Sequence, residues 1–237
     1  MSDAALSAVP SLTPAPPTVF VPGGPFLMGS DDGRQDERPL HQVEVRPLRV
    51  GRTPVTNMAY AWFLSARGAP EPPWWRDPDF WDPLQPVVGV TWFEAVAYCA
   101  WLGDTIGGRW RLPTEAEWEH AVRGGLEQQP TPWGAEPPPR EVPGLPPVGP
   151  PATGHGTANG FGLLDPGTLV HEWCQDWHAP DAYRFTRRYD PRGPEEGRRR
   201  VRRGGSWRRQ ARTSSRGASD PRARAADCGF RVVREVP

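Results

Sequence analysis

The chain reads as an α+β domain built on an irregular, loop-rich sheet. Three observations predict this. Capped amphipathic helical stretches are few. Long connections between them are broken by glycine and proline, 26 and 32 residues of 237. The stretches that alternate with a period of two are short, and there is no internal repeat to suggest a solenoid or propeller.

Taken in order, Phe20–Ser30 reads as a strand, a glycine turn and a second strand. Asp31–Pro39 is a charged loop. His41–Val50 alternates, with Val43, Val45 and Leu48 on one face, and is expected to be another strand. Thr56 is placed to cap a helix whose buried face carries Tyr60, Phe63 and Leu64 and which Gly68 stops. Ala69–Pro86 is an aromatic, proline-rich loop. Its Trp74, Trp75, Phe80 and Trp81 either pack over the core or wall a ligand, and packing is favoured because aromatics bring large apolar surface. Thr91 and Glu94 form a capping box for a helix running to about Gly103, with Trp92, Val96, Cys99 and Leu102 near one face. Gly107–Pro113 is short and extended. Thr114 and Glu117 form a second capping box, and that helix carries Trp118 and stops at Gly124-Gly125. Gln128–Gly156 is an irregular proline- and glycine-rich stretch interrupted by an isolated Pro132-Trp133-Gly134, long enough to suggest a functional or disordered loop. An arginine-rich loop, Asp181–Arg200, precedes the closing strands.

Composition narrows the function. No apolar run is long enough for a transmembrane helix. Residues 1–18 lack a basic start and an apolar core, so they are expected to be a disordered leader rather than a signal peptide, with the domain at 19–237. That places the chain in the cytoplasm, with Cys99, Cys174 and Cys228 reduced and buried; a Cys99–Cys228 disulfide is the lesser alternative. All 28 basic residues are arginine, they balance 28 acids, and more than half lie between Arg184 and Arg234. Two readings of this asymmetry stand. The two halves pair internally, or the arginines line a surface for an anionic partner, since the guanidinium fork matches carboxylate and phosphate.

Several motifs follow one another in a fixed order: Trp92-Phe93-Glu94-Ala95, Arg111-Leu112-Pro113-Thr114-Glu115-Ala116-Glu117-Trp118-Glu119, Phe161-Gly162-Leu163-Leu164-Asp165, His171-Glu172-Trp173, Arg203-Gly204-Gly205-Ser206-Trp207 and Gly229-Phe230-Arg231. The ordered set, spanning about Phe20 to Val233, resembles the sulfatase-modifying-factor family, whose founding activity is the formylglycine-generating enzyme. The resemblance implies an irregular, C-type-lectin-like fold with calcium held by oxygen ligands. Asn159, Asp165 and Glu172 are the candidate calcium ligands, while Leu169 stands where relatives carry an asparagine. Gly204 and Gly205 are expected to serve a positive φ or a close backbone approach, and Arg231 to be a paired core guanidinium.

The oxidase that the motifs resemble binds copper through two cysteines placed just after the Gly-Gly-Ser-aromatic motif, a use of soft thiolates. Here those positions read Arg209 and Ser214, so copper is not expected. A second branch of the family uses iron held by three histidines, largely from an added helical domain for which this chain has no room. The reading adopted is therefore a noncatalytic binding module. Its groove consists of Ser206, Trp207, Arg208, Arg209, Arg212, Arg216 and Trp177, and it takes an anionic small molecule, peptide or protein. The alternative is a divergent oxidoreductase or other enzyme in the same groove, with Ser206 and His171 as candidate catalytic groups. Nucleic acid is the weakest reading, because no recognised nucleic-acid motif accompanies the arginines.

Overall fold

The computed structural model describes residues 15–135 and 148–236. The expected leader therefore lies outside the described residues as far as 14, and Thr18 already belongs to the first strand. The middle of the proline- and glycine-rich stretch, 136–147, also lies outside them.

Among the described residues the strands are short and fall into three sheets. β1 (Thr18–Val21), β4 (Leu48–Gly51), β10 (Val233–Glu235) and β5 (Trp110–Arg111) form an antiparallel sheet in that order. β2 (Gly24–Met28) and β3 (His41–Val45) form a hairpin-like pair. β8 (Arg216–Ser219), β7 (Arg200–Arg203), β6 (His171–Trp177) and β9 (Cys228–Gly229) form the third, with β6 and β9 parallel and an irregularity in the β6–β7 register between Trp173 and Trp177. The mixed, loop-rich α+β architecture is the one expected.

The described residues include three α-helices, and their starts are written locally. In α1 (Asn57–Arg67) the Thr56 hydroxyl accepts the Ala59 N–H, and Gly68 ends the helix at φ 58°. α2 (Trp92–Ile106) and α3 (Glu115–Arg123) begin with complete capping boxes, Thr91 with Glu94 and Thr114 with Glu117. Each cap satisfies backbone N–H groups that have no partner inside the helix. α2 runs past Gly103 to Ile106. Its buried face is Ala95, Tyr98, Cys99 and Leu102, with Trp101 beside them, whereas Val96 is 37% exposed. The face is centred on Tyr98 because that ring packs on Tyr60, Phe63, Trp101 and Phe230, and burying such rings is worth about 2–3 kcal/mol each.

The aromatic loop before α2 divides. Trp75 packs against the main core and Phe80 is buried with Val88, Val170 and Ala226, while Trp74 and Trp81 stay partly exposed. Cys99, Cys174 and Cys228 are free and buried, so the Cys99–Cys228 disulfide is not formed. Burial pushes all three thiols above their ordinary range.

Every residue of α3 is buried, charged ones included. Arg203 and Arg216 of the later chain neutralise it, together with Arg123 of the helix itself. Arg203 donates to Glu115, 2.9 Å, and to Glu119; Arg216 grips Glu115; Arg123 grips Glu119. Elsewhere Arg231 takes both oxygens of Glu172 at 3.1 Å and the carbonyls of Gly51 and Arg52. Internal pairing between the halves is thus realised for the buried arginines. Among the described residues no helix is long and apolar enough to cross a membrane.

Candidate functional site

The two halves of the arginine stretch part at a tight turn. Ser206 N–H donates to the Arg209 carbonyl and Arg209 N–H to the Ser206 carbonyl. The turn needs glycine on its approach. Gly204 has φ +80°, and a Cβ there would lie 2.8 Å from the Gly167 Cα; a Cβ on Gly167 would lie 2.9 Å from the Trp118 ring. Two backbones and an indole meet where no side chain fits, which answers the expectation of a close approach at Gly204.

Against this junction lies a cavity of about 710 Å3. Trp118 and Val122 line it from α3, and residues of the 130–133, 151–157, 165–169 and 210–213 segments, with Gly204, supply the rest of its lining. The lining is mostly apolar. Trp118 is held by its indole N–H on Glu172, 2.8 Å, and Trp133 by its own on the Thr157 carbonyl, 3.0 Å. Arg212 is the one arginine in the lining. It is exposed, and among the described residues its guanidinium is held by two 3.4 Å contacts, to the Asp32 carbonyl and the Ser30 hydroxyl. Asp165 accepts the Gly154 N–H at 2.6 Å, and burial pushes its carboxyl above the ordinary range.

The other expected groove residues scatter. Arg208 lies on the Trp207 ring, 4.5 Å from its centroid, and Trp207 itself packs toward Phe80 and Val170. Arg209 is exposed and forms no ion pair among the described residues. Arg216 has to be removed from the groove. Its side chain is fully buried, with Nε 2.6 Å and Nη2 2.8 Å from the two oxygens of Glu115. Trp177 is likewise spent, because the Arg200 guanidinium is sandwiched 3.4 Å from its ring centroid and 3.8 Å from that of Trp92.

The two candidate catalytic groups do not touch each other; Asp227 lies between them. Ser206 Oγ donates to Asp227 Oδ2 at 3.2 Å, and His171 Nε2 sits 3.9 Å from the same oxygen. His171 Nδ1 is 2.7 Å from the Gly204 carbonyl, which assigns the ring proton there. Burial and then Arg202 push the imidazole below its ordinary range. Ser206 is fully buried.

The three candidate calcium ligands do not fit that ion as arranged. Both Glu172 oxygens face Arg231, and one also takes Trp118; Asn159 Oδ1 accepts the N–H groups of Phe161 and Leu163; Asp165 holds Gly154. Hard-cation sites need several oxygens turned to one point. Among the described residues no three His, Cys, Asp or Glu side chains are grouped to hold a metal.

The sequence profile of the sulfatase-modifying factor enzyme 1-like domain matches residues 4–236. The chain belongs to the sulfatase-modifying-factor family. It is 34% identical over 289 residues to the formylglycine-generating enzyme of Thermomonospora curvata, covering 92% of this chain and 93% of that one. It is 33% identical to the serine/threonine-protein kinase pkn1 of Chlamydia caviae, covering 92% of this chain but spanning only 38% of that protein. The solved structure of PvdO from Pseudomonas aeruginosa superposes with a TM-score of 0.81 at 26% identity, covering 94% of this chain and 96% of that one. The mixed, loop-rich fold is therefore the fold of this sulfatase-modifying-factor group.

Within that family frame, sequence reasoning missed Asp227 and the cavity wall around Trp133. The one available signal for the wall was a tryptophan set between breakers, Pro132-Trp133-Gly134, in a stretch otherwise free of large aromatics. Asp227 carried none, because its importance comes from Ser206 and His171 being folded against it.

Proposed function

We propose that this protein is a binding module whose cavity takes a small ligand with an apolar body and an anionic end, the anionic end meeting Arg212. The observation that carries the reading is the combination of a large apolar cavity with a single loosely held guanidinium in its lining. Well-formed apolar pockets with a few polar groups are the usual form of small-molecule sites, and a guanidinium with spare donors suits a carboxylate or phosphate.

The chemistry of the residues supports binding over copper oxidation. None of the three thiols lines the cavity. Arg209 is exposed, and Ser214 is buried with its hydroxyl on Glu37 at 2.9 Å. Neither offers a soft ligand. Free buried thiols also agree with a reducing, cytoplasmic setting. A second reading, an enzyme of different mechanism, draws on the contact of Ser206 and His171 with Asp227 and on the enzymatic name of the Thermomonospora relative.

The test is a thermal-shift and calorimetric screen of aromatic and aliphatic carboxylates and phosphates. Arg212→Ala should weaken a hit by about 1.5–3 kcal/mol, the range for a charged hydrogen bond, with the melting temperature of the free protein unchanged. Trp133→Ala should weaken it as well. A hit unaffected by both variants places the ligand elsewhere. Turnover of the hit that His171→Ala abolishes selects the enzyme.

A further inference from the structure

Outside the cavity lining, the arginine-rich loop contains the two most exposed aromatic side chains of the described residues, Phe185 at 77% and Tyr189 at 63%. Around them Arg184, Arg187 and Arg188 are exposed, and none makes an ion pair among the described residues. Of the nearby acids, Asp190 pairs with Arg46, Nε to Oδ2 2.7 Å, while Asp181 and Glu44 make no ion pair with these arginines among the described residues. Arg188 contacts the Tyr189 ring, 5.5 Å from its centroid. None of these residues lines the cavity.

The backbone here makes one isolated bridge, with Tyr189 at its centre, and Asp190 leaves it at φ 41°. Glu44 N–H donates to the Arg188 carbonyl at 2.7 Å and Asp190 N–H to the Glu44 carbonyl at 2.8 Å, a parallel pairing of Tyr189 with Glu44 on β3. In such a ladder the bonds of alternate residues point to opposite sides. The N–H and carbonyl of Tyr189 therefore point away from β3, and neither has a partner among the described residues. An N–H and a carbonyl left open beside a bridge can pair with another extended segment, as a strand edge does. The arginines repel a second copy of the same edge, so the strand that fits carries acids.

We infer that the edge at Arg188–Asp190 takes an extended acidic peptide segment of a partner protein as an added strand. The backbone bonds go to Tyr189, the ion pairs come from Arg184, Arg187 and Arg188, and Phe185 packs on an apolar residue of the segment. Strand addition draws affinity from main-chain bonds and specificity from alternate side chains, which here calls for acids alternating with apolar residues.

The experiment is fluorescence anisotropy of the full chain with a labelled peptide of alternating glutamate and valine, with hydrogen exchange on the complex. Saturable binding that weakens with salt is expected, together with new protection of the Tyr189 amide. Arg187→Glu/Arg188→Glu should weaken binding about tenfold or more, as reversal of interfacial charge does. Arg184→Glu should weaken it too, and serves as the second variant if the double one misfolds. Absence of binding, binding undiminished by these changes, or an unprotected Tyr189 amide overturns the inference. So does retention of anionic phospholipid vesicles or single-stranded oligonucleotides by the patch when the peptide is not bound.

Discussion

Arg216 and Glu115 face each other as two parallel hydrogen bonds, Nε 2.6 Å from Oε1 and Nη2 2.8 Å from Oε2, with the Tyr183 ring 4.1 Å from the guanidinium carbon. The pair joins the outer strand of the third sheet to the first turn of α3. Burial pushes the Glu115 carboxyl up, but Arg216 and Arg203 outweigh it and hold the group at about 2. Arg216→Ala leaves a buried carboxylate short of a partner. We expect a loss of about 3–5 kcal/mol, the cost of breaking a buried pair on one side, read by urea denaturation. An anionic-ligand screen should show no effect of its own from this change.

The same pair sets an acid limit. Glu115 has a folded value below its ordinary 4.5, so its stabilising contribution is full above that value and is lost as pH falls toward 2. Denaturation midpoints of the wild type should drop across that window, and Glu115→Gln should be less stable at neutral pH with a flatter acid limb.

Asp176 behaves in the opposite sense. Burial, and then the nearby Glu115 carboxylate, raise it from 3.8 to about 8. The folded chain keeps this proton while the unfolded chain releases it, so the contribution is full at low pH and is lost as pH rises toward 8. Asp176 Oδ2 accepts the Glu115 N–H at 2.8 Å, a bond that an amide oxygen keeps. Asp176→Asn should therefore fold and should flatten the decline in midpoint between the ordinary carboxylate range and pH 8. A decline as steep as that of the wild type would refute the assignment.

Glu172→Ala removes the partner of Arg231 and the acceptor of the Trp118 indole at once. A loss of about 3–5 kcal/mol is expected for an orphaned buried charge. Since the Glu172 oxygens are taken by protein donors, the melting temperature of each protein should not change between excess calcium and EDTA.

Gly204→Ala tests the junction beside the cavity. The residue has φ +80° and no space for a methyl group against Gly167. Strain of about 1–3 kcal/mol is expected, seen as a lower melting temperature, with weaker binding of any cavity ligand because the approach to the 206–209 turn shifts.

How legible each feature was depends on how far apart its parts lie in the chain. The caps at Thr56, Thr91 and Thr114 involve residues three apart, so the helices were readable, and so was the glycine stop at Gly68. The buried face of α2 was misjudged at Val96, because Tyr98 chooses the face by meeting Tyr60 and Phe230 from elsewhere, and Trp101 by meeting Phe63. The arginines were the hardest. Arg209 and Arg216 look alike in sequence, yet one ends exposed and the other is closed on Glu115, a residue 101 positions away. The cavity was invisible for the same reason: α3, the Trp133 turn and the 210–213 segment have no local pattern in common.

The position of β10 has a consequence for synthesis on the ribosome. This strand separates β4 from β5, pairing Val233 with both Val50 and Arg111. Residues near 50 and 110 thus emerge long before the segment that joins them, and β4 waits with one side open. Closing such distant pairings is slow compared with forming local helices. While they wait, the nascent sheet keeps an unpaired edge and Glu172 lacks its partner, because Arg231 is translated in the same late stretch; unpaired edges of this kind are where folding chains misassemble.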